Sequence, residues 1–334
     1  MADAELELSE SGLPPTVTGT VVTVGTFDGV HRGHLDVLRR LVARAREREL
    51  PSLLVSFDPH PLEIVNPAAA PLLLTTSEEK LEVIAETGVN YFAIVPFTHN
   101  LASYGAEEFV DRVLLARFRM SELLIGHDHG FGHRRAGNMT VLQSLGAARG
   151  FSVDVVDPVS LGDGQHVSST SIRRAVAGGD LQRAAEGLGR LYSVSGTVVA
   201  GNSRGRQLGF ATINLSDPGA RKLLPPEGVY VVMVQTPLGR FGAMMNLGPR
   251  PTFGESGRTL EAHLFDVTAD FYGRRVRIDF VSFLRETRQF PDAEALERQL
   301  GRDRESALRA LTPHAVSDNL TGSVRTANFT PSVA

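Results

Sequence analysis

The sequence predicts an α/β domain with a parallel sheet, followed by a second domain built as an antiparallel β barrel or sandwich. Two observations predict this order. Short apolar runs alternate with amphipathic stretches over residues 20–157, whereas from residue 193 onward apolar runs follow one another with Pro/Gly turns between them. A length of 334 residues is enough for two such domains, each with its own core.

The first half follows a β-α-β-α rhythm that begins with the strand "TVVTVGTF". The next stretch, "HLDVLRRLVARARERE", is predicted to be a helix because its apolar residues fall on one stripe. Strands separated by helices of this length pair in parallel and are covered on both faces, which explains their nearly continuous apolar character. Ligands of such sheets bind beyond the carboxyl ends of the strands. The apolar stripe contains Leu35, Leu38, Leu41, Val42 and Ala45.

The second half shows the period-two alternation of a half-buried strand. Val276, Ile278 and Phe280 interleave with charged residues in "RRVRIDFVSFL". One helix is predicted after the strands, from the spacing of Leu296, Leu300, Ala307, Leu308 and Leu311. Residues 314–334 are polar and aperiodic, so we expect a flexible tail.

Composition narrows the function classes. The chain has 34 basic and 38 acidic residues, a net charge of −4, so no global field would recruit nucleic acid or an anionic membrane. Cysteine is absent, which excludes disulfides, thiolate nucleophiles and cysteine zinc sites and fits a reducing compartment. The first residues are acidic and carry no apolar core typical of a signal peptide. We therefore expect a cytoplasmic protein, a monomer or a weak homo-oligomer, with small-molecule substrates.

The stretch "TVGTFDGVHRGH", residues 23–34, places two histidines where a strand gives way to a helix. His31 and His34 then stand at the amino end of that helix, whose unpaired N–H groups and partial positive charge favour phosphate. Imidazoles can donate hydrogen bonds to charge that develops on a phosphoryl group. Two other interpretations remain open from these residues: a metal-binding pair, and a capping loop with incidental histidines.

Three further polar stretches follow predicted strands or precede a helix. "SSTSIRR", residues 168–174, offers hydroxyls and the Arg173 guanidinium to a polyphosphate, or simply caps a helix. "GHDHGFGHRRAGN", residues 126–138, is too polar and glycine-rich for a core. In "FDPHPLE", residues 57–63, His60 is either a turn residue or a ligand contact.

These four motifs, in this order and at these spacings, resemble the bacterial FAD synthetase domain, a Rossmann-like nucleotidyltransferase of the HxGH superfamily. The resemblance implies that ATP phosphates contact the two histidines, that Arg173 binds the triphosphate, and that flavin lies near Asp128 and His60. His129 departs from the family, which usually has an aromatic residue there. The catalytic residues implied are His31, His34 and Arg173, and the ATP site implied comprises Gly25, Phe27, Asp28, Gly29, His31, Gly33, His34, Ser168, Ser169, Thr170 and Arg173.

The second half has neither a P-loop nor a dinucleotide fingerprint. Its most polar stretch is "GNSRGRQLGFATINL", residues 201–215, in which Thr212 and Asn214 share one side if the chain is extended. Threonine and asparagine oxygens suit Mg²⁺ beside nucleotide phosphates. A β-hairpin loop with an Asn turn is the alternative interpretation of the same residues.

This stretch resembles the signature of the riboflavin kinase domain, together with "PPEGVYVV", "MNLGPRPTFG", "LEAHLFD" and "FYGRRVRIDFVSFLRETRQF". The resemblance implies a six-stranded antiparallel barrel with a carboxyl-terminal helix, and Glu261 as the general base. Ala211 and Ile213 stand where the family has proline and alanine. The implied kinase ATP site is Gly205, Arg206, Gly209, Thr212 and Asn214, with Thr212 and Asn214 as the Mg²⁺ ligands.

Together the two resemblances predict an enzyme that phosphorylates riboflavin to FMN and adenylylates FMN to FAD, with ATP and Mg²⁺. The predicted bounds are residues 15–186 for the adenylyltransferase, 187–313 for the kinase and 314–334 for the tail. Two rivals stay open: another HxGH nucleotidyltransferase with a second domain that only binds, and a non-catalytic flavin-binding protein.

Overall fold

The computed structural model describes residues 13–126, 139–157, 166–200, 211–249, 258–267 and 269–315. The chain forms two compact units. Unit 1 consists of Met1–Val194 and Pro218–Pro226, and unit 2 of Ser195–Asp217 and Glu227–Ala334. A short segment between two stretches of unit 2 therefore belongs to unit 1.

Unit 1 is built on a parallel sheet whose strands match the predicted apolar runs. Val21 and Val22 at the centre of the first strand are fully buried, as expected where both faces of a sheet are covered. The strands are β1 (Thr20–Val24), β2 (Ser52–Asp58), β3 (Tyr91–Pro96), β4 (Met120–Gly126) and β5 (Ser152–Val156).

Helices connect these strands and cover both faces of the sheet. Val22 and Val24 pack into one apolar cluster and Val21 into another, so the two faces of one strand serve two cores. A π-helical turn at Val110–Leu115 continues the fifth helix. The helices are α1 (Arg32–Glu47), α2 (Pro61–Val65), α3 (Ser77–Ala85), α4 (His99–Ser103), α5 (Ala106–Phe109), α6 (Met139–Arg149), α7 (Ser169–Ala177) and α8 (Leu181–Leu188).

The order of the strands is β3-β2-β1-β4-β5, and every pairing is parallel. The chain moves outward from β1 in one direction through β2 and β3, and then in the other through β4 and β5. The switch point lies between β1 and β4, where open α/β sheets bind ligands beyond the strand ends. The loop that follows β1 is therefore placed for binding.

Unit 2 contains a closed barrel with the strand order β10-β7-β6-β11-β8-β9. The strand registers described in it are antiparallel, and Leu311 of α9 packs into an apolar cluster with Val231 and Met244 of the strands. The predicted fold class is confirmed: an α/β unit with a parallel sheet, then a six-stranded barrel with a terminal helix. The elements are β6 (Ser193–Val199), β7 (Ala211–Leu215), β8 (Gly228–Thr236), β9 (Gly239–Pro249), β10 (Arg258–Leu264), β11 (Arg275–Arg285) and α9 (Ala293–Ala315).

Several predicted features fall outside the described residues. Asp128 and His129, and the kinase residues Gly205, Arg206 and Gly209, all lie there. Of the predicted tail, residues 314 and 315 still belong to α9, and the remainder lies outside the described ranges. Within those ranges, no helix combines the length and the apolar character that crossing a membrane requires.

Candidate active sites

The loop between β1 and α1 has an unusual backbone. Phe27, Gly29 and Val30 all have positive φ, at 46°, 81° and 39°. A non-glycine residue rarely adopts this region, so the surrounding contacts must hold the loop in place. Phe27 and Val30 are buried in the core between the sheet and α1, which supplies part of that hold.

His31 is the N-cap of α1. Its Nδ1 accepts a hydrogen bond from the His34 backbone N–H at 3.3 Å, and the two imidazole rings stack with centroids 3.6 Å apart. Because a backbone N–H can only donate, Nδ1 must be the acceptor and the proton of a neutral ring lies on Nε2. A Cβ at Gly33 would come within 3.2 Å of the His31 ring. The loop thus fixes both the position and the tautomer of His31.

Burial lowers the pKa of His31 to about 4, although the Asp28 charge acts in the opposite direction. The folded protein therefore keeps this imidazole neutral at physiological pH, able to donate from Nε2 without carrying a charge.

This pKa predicts a pH dependence of stability. An unfolded histidine titrates near 6.5, so between about 6.5 and 4 the unfolded state binds more protons than the folded state. The contribution of neutral His31 is complete above that window and is lost as the pH falls through it. Between about pH 7 and about pH 4.5, the wild type should lose about 2 kcal/mol more unfolding free energy than His31→Asn. Urea melts of both proteins measure the difference, and parallel pH profiles would contradict the assignment.

Gly29 is needed for its backbone conformation and for its lack of a side chain. A Cβ there would lie 2.7 Å from Cδ1 of the buried Leu74, at φ 81°. Gly29→Ala should lower the unfolding free energy by about 1–2 kcal/mol more than Gly88→Ala, as urea melts would measure. Gly88 is the matched control because its φ is 78° and a Cβ would meet nothing within 4 Å. Equal losses in the two variants would contradict the close packing.

The Asp28 carboxylate is buried and faces protein groups. It accepts hydrogen bonds from the backbone N–H groups of Leu74 and Thr75, both at 3.0 Å, and from the Thr75 hydroxyl at 3.2 Å. Arg173 Nη2 donates to the same carboxylate at 2.7 Å. Asp28 therefore joins the β1 loop, the 71–75 segment and α7, and fixes the guanidinium that the sequence predicts for the triphosphate.

The hydroxyl-rich motif caps α7 and also reaches the β1 loop. Ser168 is the N-cap, with its side chain accepting from the Ser171 N–H, while the Ser169 hydroxyl donates to the Asp28 carbonyl at 2.9 Å. Thr170 is exposed in the first turn of α7. Both interpretations of this motif, the cap and the polyphosphate site, are compatible with this arrangement.

His60 belongs to the same region. It caps α2, since its Nδ1 accepts from the Leu62 N–H at 3.2 Å. Burial lowers its pKa, and the charges of Asp28 and Arg173 reach it in opposite directions. The structure therefore brings His60, Asp28, Arg173 and the histidine pair into one electrostatic neighbourhood.

Two cations of this neighbourhood were not predicted from the sequence. Arg190 donates to the carbonyls of Val30 and Gly29 at 2.9 and 2.7 Å, and Lys80 donates to the Thr26 carbonyl at 2.7 Å. Both side chains stabilise the backbone of the loop between β1 and α1, although neither belongs to the histidine motif itself. No local pattern marks either residue, because Arg190 lies 160 residues from Val30 along the chain.

The second site is a polar row on three barrel strands. In the strand registers Glu261 of β10 pairs with Asn214 of β7 and with Asn246 of β9. These side chains are half-buried, whereas Ile213, on the opposite face of β7, is buried. The expected alternation of Thr212 and Asn214 on one side is confirmed by the strand. Cross-strand neighbours lie within about 5.5 Å at Cβ, so the carboxylate stands between two amides.

The environment of this row favours a proton acceptor. Burial raises the pKa of Glu261 and lowers the pKa of His263, two residues further along β10. Thr212 Oγ1 lies 2.8 Å from Nδ1 of His263. Asn246 and His263 escaped the sequence interpretation, because only the register of β10 with its neighbours brings them to Glu261 and Thr212. The sequence signal that could have found His263 is its i+2 spacing from Glu261.

No group of three or more His, Cys, Asp or Glu side chains suited to a metal ion occurs in the part of the chain that the structure describes. For the kinase site, the threonine and asparagine oxygens fit a hard cation that shares its ligands with nucleotide phosphates, since Mg²⁺ is usually bound in that way.

Comparison with known proteins assigns a family to each half of the chain. The FAD synthetase family matches residues 13–171 and the riboflavin kinase family residues 188–311. A bifunctional riboflavin kinase/FMN adenylyltransferase of Escherichia coli (strain K12) is 37% identical over 289 residues, 85% of this chain and 90% of that protein. The enzyme of the same name from Pseudomonas fluorescens is 38% identical over 304 residues, 91% of this chain and 96% of that protein.

Among solved structures, that of a macrolide-efflux protein from Streptococcus pneumoniae is similar, with a TM-score of 0.78, 29% identity and coverage of 90% of this chain and 96% of that one. The two family matches occur in the order that the sequence motifs predict. The chain belongs to the bifunctional riboflavin kinase/FMN adenylyltransferase family.

Proposed function

We propose that this chain makes FAD in two steps: unit 2 phosphorylates riboflavin with ATP to give FMN, and unit 1 adenylylates FMN with a second ATP to give FAD and pyrophosphate. The observation that carries the proposal is the presence of two separate constellations of the required chemistry. One is a helix N-terminus with a stacked histidine pair and a partly buried arginine held by Asp28, and the other a half-buried carboxylate between two amides.

In the kinase site, Glu261 accepts the proton of the riboflavin ribityl hydroxyl as that oxygen attacks the γ-phosphorus. The new O–P bond forms while the bond to the ADP oxygen breaks. The burial that raises the pKa of Glu261 makes it a better proton acceptor than an exposed carboxylate. Its neighbours Asn214 and Asn246 can hold the carboxylate and substrate in line by hydrogen bonds.

We assign Thr212 and Asn214 to a Mg²⁺ ion, which would neutralise charge on the ATP phosphates. The 2.8 Å contact with His263 supports this for Thr212, since it restricts the rotation of the hydroxyl. Gly205, Arg206 and Gly209 complete the proposed kinase ATP site.

In the adenylyltransferase site, a phosphate oxygen of FMN attacks the α-phosphorus of ATP and pyrophosphate leaves. His31 donates from Nε2, and the N–H groups at the start of α1 add their partial charge where negative charge develops. His34 stacks on His31 and contributes a second imidazole. Arg173, fixed by Asp28, binds the triphosphate as a directed guanidinium.

The other ligand contacts predicted for the adenylyltransferase site are also proposed. Gly25, Phe27 and Gly29 belong to the loop before α1 and Gly33 to the first turn of that helix, while Asp28 acts from within the protein by holding Arg173. Ser168, Ser169 and Thr170 stand at the entrance of α7. His60 and Asp128 are assigned to flavin.

One incubation tests the proposal. Purified protein incubated with riboflavin, ATP and Mg²⁺ should yield FMN and then FAD. Chromatography of samples taken over time measures both products. FMN without FAD would overturn the assignment of unit 1 and favour a different nucleotidyltransferase acceptor. Neither product, with flavin bound, would favour the non-catalytic rival.

Three broader expectations accompany the enzyme. We place it in the cytoplasm, because a chain without cysteine fits a reducing compartment. We expect a monomer or a weak homo-oligomer that takes riboflavin, FMN and ATP and no macromolecular substrate. We retain residues 15–186 and 187–313 as the proposed sequence bounds of the two activities.

A further inference from the structure

The chain contains two lysines among 34 basic residues, and both are buried in unit 1. Lys80 is 7% exposed and Lys222 5% exposed. An ammonium is compact and carries three donors, whereas a guanidinium is a broad planar fork. A chain that otherwise uses arginine therefore has a small cation at both of these buried positions.

Lys222 has an acceptor for each of its three donors. Its Nζ lies 2.6 Å from Glu79 Oε2, 2.7 Å from the Leu74 carbonyl and 2.9 Å from the Ser193 carbonyl. It also stands 4.8 Å from the centre of the Tyr192 ring. A buried cation paired and satisfied in this way fixes the groups around it, because moving Glu79 would leave buried charges unpaired and moving either carbonyl would leave a buried donor without an acceptor.

The 71–75 segment, which carries Leu74, is held from two sides. Leu73 donates to the Arg221 carbonyl at 2.7 Å and accepts from the Leu223 N–H at 2.8 Å. On the other side, Leu74 and Thr75 donate to the Asp28 carboxylate. The residues around Lys222 therefore determine where the segment lies, and the segment determines where Asp28 points.

A continuous chain of contacts runs from Lys222 to Arg173. Lys222 holds the Leu74 carbonyl, the Leu74 N–H donates to Asp28 Oδ2 at 3.0 Å, and Arg173 Nη2 donates to the same oxygen at 2.7 Å. The Arg173 Nε also donates to the Leu72 carbonyl at 2.9 Å, so the segment contacts the guanidinium directly as well.

Lys222 lies inside the stretch that the riboflavin kinase family matches, residues 188–311, yet the Pro218–Pro226 segment belongs to unit 1. The segment follows β7 and precedes β8 in the sequence. Residues that the sequence assigns to the kinase thus form part of the adenylyltransferase unit.

We propose that Lys222 is a positioning residue for FMN adenylylation, which holds the 71–75 segment where it fixes Asp28 and, through Asp28, Arg173. The inference rests on the proposed function of unit 1. It makes the adenylyltransferase dependent on a residue from the kinase part of the sequence, and it gives Lys222 no part in riboflavin phosphorylation.

The first test is Lys222→Met in the full chain, since methionine keeps the length of the side chain and removes its donors. The kcat/KM of FMN adenylylation should fall by about tenfold or more, because a misplaced binding group costs that much in oriented reactions. Riboflavin phosphorylation should stay within about twofold, the range of an undisturbed site. Equal loss of both activities, or of neither, would overturn the proposal.

A control removes the cations from another buried carboxylate of the same unit. Glu122 is 1% exposed on β4 and accepts hydrogen bonds from Arg44 Nε at 2.6 Å and Arg48 Nε at 2.7 Å. Arg44→Met/Arg48→Met leaves this carboxylate without its cations, so it should lower the melting temperature of unit 1 and leave adenylylation within about twofold. If it slows adenylylation as much as Lys222→Met does, the effect of Lys222 is one of stability alone.

Two double variants separate position from stability. Lys222→Met/Glu79→Gln removes both buried charges, so the melting temperature should recover while adenylylation stays about tenfold low. Recovery of both would overturn the proposal, as would loss of the folded unit in the single and the double variant. In a protein that already carries Arg173→Lys, adding Lys222→Met should lower the kcat/KM of FMN adenylylation by less than about a further twofold. The reason is that both changes act through the Arg173 guanidinium. If instead the two substitutions lower kcat/KM by the product of their separate effects, Lys222 does not act through Arg173 and the proposal is overturned.

These outcomes remain distinct from failure of the proposed function. If the wild-type chain makes no FAD from FMN, the assignment of unit 1 fails. If the wild type makes FAD and Lys222→Met makes it equally fast, the positioning role alone is overturned.

Discussion

Replacement of Glu261 by glutamine should abolish the conversion of riboflavin to FMN while FMN is still converted to FAD. Glutamine keeps the shape of the side chain and the same position between Asn214 and Asn246 in the strand registers, but it cannot accept the ribityl proton. Loss of a general base costs about 10²–10⁴-fold in rate. Chromatography of the products from separate incubations with riboflavin and with FMN measures the two reactions on one protein.

Asp266→Asn is the matched control for Glu261. Asp266 is an exposed carboxylate just beyond β10 with φ 55°, a conformation that asparagine tolerates. This variant should leave both reactions within about twofold of the wild type. Retention of riboflavin phosphorylation by Glu261→Gln, or a parallel loss of FAD formation, would remove Glu261 from the role of base.

Replacement of His31 by asparagine should give the reverse pattern, with FAD formation lost and FMN formation retained. Asparagine is a good N-cap, so it can still accept the hydrogen bond that begins α1, but it lacks the imidazole Nε2–H. Removing one preorganised donor to a developing negative charge costs about 10²–10³-fold. Initial rates of FMN adenylylation at saturating ATP measure the loss.

The comparison with His31→Ala separates capping from chemistry. Alanine removes both functions and should lower the unfolding free energy by about a further 1 kcal/mol, whereas the two variants should be similarly slow. His99→Asn, an exposed histidine on α4, serves as the control for the substitution itself and should leave FAD formation intact. If His31→Asn adenylylates FMN at the wild-type rate, His31 is only a cap.

Much of the fold follows from local patterns. The alternation of apolar runs with amphipathic stretches predicts the parallel sheet because each strand must be covered on both faces. The period-two pattern of Val276, Ile278 and Phe280 predicts a barrel strand because only one face of such a strand points into the core. Capping is local too, so the sequence alone could place His31 at the mouth of α1 and Ser168 at the start of α7.

The short helices α2 and α4 escaped the sequence interpretation, because five residues are too few to show a helical period. The 218–226 segment escaped it for another reason. Its neighbours in the sequence are barrel strands, and nothing in its own composition indicates that it packs against the parallel-sheet unit.

The sequence by itself determined which residue types lead into each site: the histidine pair and glycines after β1, the hydroxyls before α7, and the alternating Thr212 and Asn214 of β7. Their positions depend on spacings of a few residues, which strand and helix geometry fixes. Only the tertiary structure decided what each side chain faces. Asp28 meets Leu74 and Arg173 across 46 and 145 residues of chain, and Lys222 meets Leu74 across 148. Such partners are chosen by strand order and register, since a buried charge takes whichever donors or acceptors the fold brings to it.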